Sequence, residues 1–387
     1  MKTSAFLYPW DVVGDPDAAA RIADLGVQQV TLAAAYHSTR ALTPRHPRHR
    51  IVTAQHAAVL YEVDEERWAG RELRPYTAGD WAPGDAYGEA AAALADAGIE
   101  VHSWVVLAHN SRLGAEHPDT SVVNAYGDRY PWAPCIAQPA VRALVTDLAA
   151  EAATRPGARG TELESCGWYG LAHLHAHDKI AGVGLGDVAQ YLMSLCFCPA
   201  CRDSYAQQGL KPTLLAAAVR DALEPVWAGA AGADAGVEKL LGAELAAATL
   251  DFRTRTARTL QEAAVAAVRA AAPQGFQVLL HADPVAHHCG ANAGVDPAHV
   301  LSVADGVVVP CTGGPRLLAP FAEQEVEGAV LAANFTVVSG MGGSPGTLVD
   351  DAARAVGLGA TEVRLYHAGL ASEGDLALVS DAVPRLG

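Results

Sequence analysis

Ser4-Ala5-Phe6-Leu7-Tyr8 runs directly into Pro9-Trp10-Asp11, and that junction decides the fold. A short apolar run closed by a proline reads as a buried strand. An open doubly wound sheet normally follows its first strand with a glycine-rich turn that cradles phosphate. Pro9-Trp10-Asp11 offers no glycine there, so the strand belongs to another α/β architecture. Seven more runs of this kind follow, at 29–34, 101–107, 160–164, 276–281, 306–310, 329–335 and 362–366. Ala- and Leu-rich helical stretches separate them, at 16–25, 84–97, 138–154, 297–303, 315–326, 347–358 and 373–383. Eight strand-then-helix repeats predict a closed (β/α)8 barrel, the TIM-barrel architecture, as one domain over 1–387.

Two insertions interrupt the repeat, at 37–83 after strand two and 167–275 after strand four. In such a barrel both rise from the strand C-terminal face, where active sites lie. The first includes a possible extra strand at 58–63 and carries Arg40, Arg45, Arg48 and Arg50. Such a basic loop suits an acidic substrate, or pairs with the protein's own excess acid. The second holds a long Ala-rich helical region at 237–272.

Of the 387 residues 51% are hydrophobic and 18% charged, and 27 Lys plus Arg against 43 Asp plus Glu give a net charge of −16. The composition supports a large core, and the acidic balance argues against nucleic acid and anionic lipid as partners. No apolar run reaches the ~20 residues that span a bilayer, and Met1 to Trp10 lack a secretory pattern. The expectation is a cytoplasmic protein; a homo-oligomer is compatible with the sequence.

Seven cysteines are present, three of them in Cys196-Phe197-Cys198-Pro199-Ala200-Cys201. That spacing lets one loop wrap three thiolates around a soft ion. Zinc favours a tetrahedron of four such ligands, with the fourth from Cys135, Cys166 or a nearby histidine. A closed shell of four protein ligands makes the metal structural.

Strand four ends Thr161-Glu162-Leu163-Glu164-Ser165. Alternation points Glu162 and Glu164 the same way, with Glu164 nearer the C-terminal rim, a catalytic position. His173, His175 and His177 follow. Other strand ends supply Tyr8, Trp10 and Asp11, then His37 and Arg40, His109 and Asn110, His281 and Asp283, Asn334, and Tyr366 and His367. Together with Trp168 they form the ring of aromatic faces and forked polar groups that a carbohydrate pocket needs.

Tyr130-Pro131-Trp132-Ala133-Pro134-Cys135 followed by Pro139-Ala140-Val141-Arg142, then Glu164 near Gly167, then the triple-cysteine loop, resembles family 42 glycoside hydrolases, the β-galactosidases, and related uncharacterised hydrolase-like barrels. The likeness covers roughly residues 100 to 225. It implies a hydrolase acting on a small carbohydrate or glycoside, with Glu164 as general acid/base and Cys135 as fourth ligand of a structural zinc. Family 42 enzymes place a second carboxylate at the end of strand seven; here Ala332-Ala333-Asn334-Phe335-Thr336 has none, and Glu323, Glu325 and Glu327 precede the strand. Asp283 or Asp11 is therefore expected as the second catalytic carboxylate. A base at ~6.5 to 9.5 Å from Glu164 would give inversion. Two rival expectations remain: a metal-dependent hydrolase, isomerase or lyase built on His173, His175, His177, His281 or His367, and a barrel that binds sugar without cleaving it.

Overall fold

The computed structural model describes residues 1–172, 179–229 and 236–386. Eight parallel strands carry the fold: β1 Lys2–Leu7, β2 Gln29–Tyr36, β3 Glu100–Val106, β4 Ala158–Glu164, β5 Gln277–Asp283, β6 Gly306–Pro310, β7 Val330–Thr336 and β8 Glu362–Tyr366. Each pairs with its sequence neighbour, and β1 pairs with both β2 (Ala5 opposite Val30) and β8 (Ala5 opposite Leu365). The sheet thus closes on itself as a TIM barrel, with strands where the sequence places them.

Period-two alternation sorts the side chains into two cores. Ala5, Leu7, Val30, Leu32, Val105, Leu163, Val307 and Leu365 face outward and pack under the helices. The inward set stacks in layers. Ser4, Thr31, Glu162 and Arg364 make a polar layer, with Ser4 Oγ and Thr31 Oγ1 2.9 Å apart. Above it Phe6 meets Trp104 and Tyr366 edge-on at 4.8 and 5.1 Å between ring centroids. Leu279, Val308, Val330 and Ala332 fill a smaller apolar cluster.

The helices start where sequence chemistry starts them. Asp85 and Asp296 accept the free N–H groups of Gly88 and His299, and prolines open Pro139–Ala153 and Pro297–Val303. The Ala-rich helical region expected over 237–272 forms two helices, Val237–Leu241 and Ala243–Ala271, divided where Gly242 takes φ +82°, a conformation that breaks helical geometry and suits glycine. Ala243–Ala271 then packs along Pro139–Ala153.

Between β2 and β3 lies an antiparallel hairpin, Thr39–Leu42 with Ile51–Ala54; the extra strand expected at 58–63 is only Ala58–Val59, paired to β2. Between β3 and β4 a second hairpin, Ser121–Val123 with Arg129–Pro134, precedes Cys135. Three helices, Asp187–Met193, Pro199–Gln207 and Pro212–Trp227, lie between β4 and Val237–Leu241. No helix among the described residues is long and apolar enough to cross a membrane.

Candidate active site

A cavity of about 1250 Å³ opens at the strand C-terminal face. Tyr8, Tyr36, Tyr366 and His367 line it from strand ends or the residues just beyond them, with His109 and Tyr169 on one wall and Asp283, His287 and His288 on another. Tyr8 and Tyr36 meet edge-on at 4.9 Å, and His109 stacks flat on Tyr169 at 4.1 Å. Tyr8 Oη lies 3.3 Å from His367 Nδ1. Burial, helped by His37, pushes the His367 pKa down to about 3, so this imidazole is neutral through the physiological range.

Glu164, the last residue of β4, is 3% exposed and is not itself a lining residue; it lies buried next to the phenols that are. Its Oε2 accepts a hydrogen bond from Trp104 Nε1 at 2.8 Å. Its charge acts on Tyr36, Tyr169 and Tyr366, three cavity-lining phenols whose pKa values burial and this carboxylate both raise. The next residue, Ser165, takes φ +56° without being glycine. Its N–H donates to the Ala291 carbonyl at 2.8 Å and its own carbonyl accepts from Ala108 N–H at 3.1 Å. Neighbouring backbone therefore enforces a strained turn immediately after the carboxylate, the kind of local strain that clusters at functional sites.

Asp283, the last residue of β5, faces the cavity. Val285 N–H donates to its Oδ1 and His288 Nδ1 to its Oδ2, both at 2.8 Å; His288 Nε2 is 3.3 Å from Asp187 Oδ2. The hydrogen bond to Asp283, reinforced by Asp187, raises the His288 pKa against the opposing effect of burial.

The other expected residues divide. His37 and Arg40 line the cavity. Trp10 is buried, stacked on Tyr8 at 4.6 Å. Asn110 caps the helix Ser111–Glu116, accepting from Leu113 N–H at 3.0 Å. Trp168 Nε1 donates to the Arg253 carbonyl at 3.0 Å. His281 points into the barrel, with Nε2 3.4 Å from Glu162 Oε2. Asn334 is buried on β7 and its Oδ1 finds no partner among the described residues. Asp11 folds back so that Oδ2 accepts Tyr8 N–H at 2.8 Å. None of these six lines the cavity. His173, His175 and His177 lie outside the described residues. Glu325 sits with Lys2 and Gly328 in a depression at the opposite, N-terminal end of the barrel, so it does not replace the strand-seven acid. Of the basic loop, Arg45 donates to the carbonyls of Ala368, Gly369 and Ala371, Arg50 to that of His46, and Arg48 packs against Gly14.

Away from the cavity, Cys135, Cys196, Cys198 and Cys201 are buried with their sulfurs within 4.8 Å of one another. Cys135 Sγ is 3.5 Å from Cys201 Sγ and 3.7 Å from Cys198 Sγ, against about 3.8 Å for a tetrahedron with ~2.3 Å metal–sulfur bonds. Val123 N–H and Cys198 N–H both donate to Cys196 Sγ at 3.4 Å, an arrangement that suits a thiolate. This group can bind a metal ion. Cys166 lies apart, and burial pushes its thiol up to about 12. Among the described residues no other group of three or more His, Cys, Asp and Glu side chains gathers this closely.

No protein-family model and no curated protein sequence matches the chain. Solved structures do match. α-L-fucosidase isoenzyme 2 from Paenibacillus thiaminolyticus has a TM-score of 0.57 and 12% identity, over 100% of this chain and 49% of that one. The catalytic domain of β-amylase from Paenibacillus polymyxa has 0.59 and 11%, over 99% and 97%. A catalytic mutant of Gan42B, a GH42 β-galactosidase from G. stearothermophilus, has 0.56 and 11%, over 100% and 56%. The chain thus spans about half the length of the fucosidase and of the β-galactosidase. The chain shares the TIM-barrel fold of these enzymes. At these identities the likeness establishes the fold, and the chemistry has to be argued from side chains.

Several residues of this barrel escape a strand-by-strand sequence reading. Inward alternation on β2 runs Thr31, Ala33 and then skips, because a bulge shifts the pairing between Ala33 and Ala35. The extra residue turns Tyr36 into the cavity where a strict period of two would send it outward. His287, His288 and Asp187 come from loops whose paths only the folded barrel fixes. An aromatic at a strand end beside a run of small residues, Ala33-Ala34-Ala35-Tyr36, was the available signal.

Proposed function

We propose that the chain is a glycosidase in which Glu164 is the general acid and Asp283 the second carboxylate. The observation that carries this reading is Glu164 itself: a strand-four terminal carboxylate held by an indole N–H and acting on three of the phenols that line the tyrosine- and histidine-rich cavity. Aromatic faces take the apolar side of a sugar ring, and phenol and imidazole groups take its hydroxyls. Glu164 gives its proton to the glycosidic oxygen as the bond to the anomeric carbon breaks. Asp283, oriented by Val285 N–H and by a His288 that favours its cationic form, accepts the proton of an attacking water. Bond cleavage with inversion follows from that division of labour.

Glu164→Gln keeps the shape and removes the proton; the expected loss in turnover is about 10²- to 10⁴-fold with circular dichroism unchanged. Undiminished hydrolysis across a panel of glycosides would remove Glu164 from the mechanism.

Cys135, Cys196, Cys198 and Cys201 would hold a structural zinc, tying the loop after β3 to the loop after β4. Four thiolates leave no open position, so the ion would supply folding free energy and no water activation. Elemental analysis should find one zinc per chain, and Cys198→Ser should lower both zinc content and Tm. A zinc-free chain of unchanged Tm would reject the site.

A further inference from the structure

The cavity is larger than a sugar ring needs and changes character from floor to rim. At about 1250 Å³ it exceeds the ~300–1000 Å³ range of ordinary small-molecule pockets. Tyr8, Tyr36, Tyr366 and His367 come from the strand ends and His109, Tyr169, His287 and His288 from the walls, whereas exposed aliphatic side chains from three separate loops line the mouth. Leu42 is 62% exposed, Ile180 44% and Met341 52%, and all three line the cavity. Ile51, 62% exposed, pairs with Leu42 across the hairpin and extends the same apolar edge. Charge does not compete for this surface: Arg40, Asp187 and Asp283 are the Arg, Lys, Asp and Glu residues among the described lining positions, and Asp187 and Asp283 are both engaged by His288.

We propose that the substrate is a glycoside with an apolar aglycone, an alkyl or aryl group that lies across Leu42, Ile180 and Met341 while its sugar occupies the floor. This rests on the glycosidase reading and adds the leaving-group side to it. A second saccharide unit would set its hydroxyls against aliphatic groups that cannot hydrogen-bond them, whereas a methylene chain buried there strengthens binding by about fourfold per group.

Methyl and n-octyl glycosides of one sugar have leaving groups of similar chemistry and differ in apolar length, so their ratio isolates the rim. The series would cover D-glucose, D-galactose, D-mannose and L-fucose in both anomers, with octyl glycosides below their micellar concentration. Hydrolysis and calorimetric binding would both be measured. The expected result is an octyl-over-methyl advantage of at least about tenfold in kcat/KM or in affinity, falling toward one in the Leu42→Ser, Met341→Ser double variant. Equal handling of the two series overturns the inference while leaving the glycosidase reading intact. Octyl-selective binding without hydrolysis sustains the apolar site and overturns the glycosidase reading instead; absence of both binding and hydrolysis overturns both. Sedimentation of the two proteins supplies the remaining check: a wild-type dimer that the double variant converts to monomer, with the octyl-over-methyl ratio unchanged, would make the rim a contact between copies and overturn the inference.

Discussion

Glu162 and Glu164 leave the same strand two residues apart, on the same face, and meet opposite surroundings. Glu162 lies in the polar layer, fully buried, with Arg364 Nε at 2.6 Å, His281 Nε2 at 3.4 Å and Thr31 Oγ1 at 3.1 Å. Burial alone would push its pKa up; Arg364 and His281 override that and hold it down to about 2. Glu164, one step nearer the cavity, receives an indole N–H and faces phenols. Identical side chains on one strand thus separate into a neutralised structural ion and a carboxylate with no guanidinium partner among the described residues. A cation in the lower layer neutralises Glu162, and none is paired with Glu164 among the described residues.

The largest effect expected of breaking that contrast comes from the lower layer. Arg364→Met leaves Glu162 charged without its guanidinium where both partners are 0% exposed, with only Thr31 and His281 beside it, which costs about 3–5 kcal/mol. Urea denaturation at pH 7 measures it, and the Glu162→Leu, Arg364→Met pair should recover much of the loss. The pH dependence has a definite sign. With a folded pKa of about 2 below the unfolded value of ~4.3, the stabilisation is complete above the unfolded value and disappears as pH falls through about 2. The wild type should lose more stability than the double variant between pH 5 and pH 2.

A smaller effect tests the upper layer. Trp104→Phe deletes the indole donor to Glu164 while keeping an aromatic ring against Phe6. A hydrogen bond to a charged group contributes about 1.5–3 kcal/mol, so turnover should fall roughly ten- to hundredfold. Because Trp104 is fully buried and does not line the cavity, KM should move much less than kcat. Equal changes in both would mean that the indole shapes the pocket and does not position the carboxylate.

How much of this was readable in the sequence follows from the same layering. Strand positions and the shared orientation of Glu162 and Glu164 are consequences of period-two alternation, and alternation survives into the barrel. The gathering of Cys135 with the triple-cysteine loop was legible only through resemblance, since Cys166 and nearby histidines fitted the spacing equally well. Direction is lost wherever a strand ends or bulges. Trp10, Asn110 and Trp168 sit just past strand ends, as expected of pocket residues, but their polar groups are turned by local geometry: Asn110 to a helix N-terminus, Trp168 to a distant carbonyl, and Trp10 onto a neighbouring ring. His281 is aimed inward as alternation demands, and an inward histidine above a buried Glu finds that Glu before it finds a ligand.

Asp11 gives the most diagnostic effect, since it is a carboxyl held by one N–H with no direct ion pair among the described residues. Its Oδ1 is buried without a partner among the described residues, and its side chain packs so tightly on Gly369 that a Cβ there would lie 1.9 Å from Oδ2. Burial raises its pKa to about 7, with the Tyr8 N–H and the more remote Arg45 only partly opposing it. The shift is opposite to that of Glu162, so the linkage reverses. Between the unfolded value of ~3.9 and about 7 the folded chain binds more protons than the unfolded one, and stability falls as pH rises through that window. Asp11→Asn retains an oxygen for Tyr8 N–H and cannot ionise. Its Tm should therefore fall less than that of the wild type between pH 5 and pH 8. Parallel Tm profiles would place a compensating cation beside Asp11 and erase its contrast with Glu162.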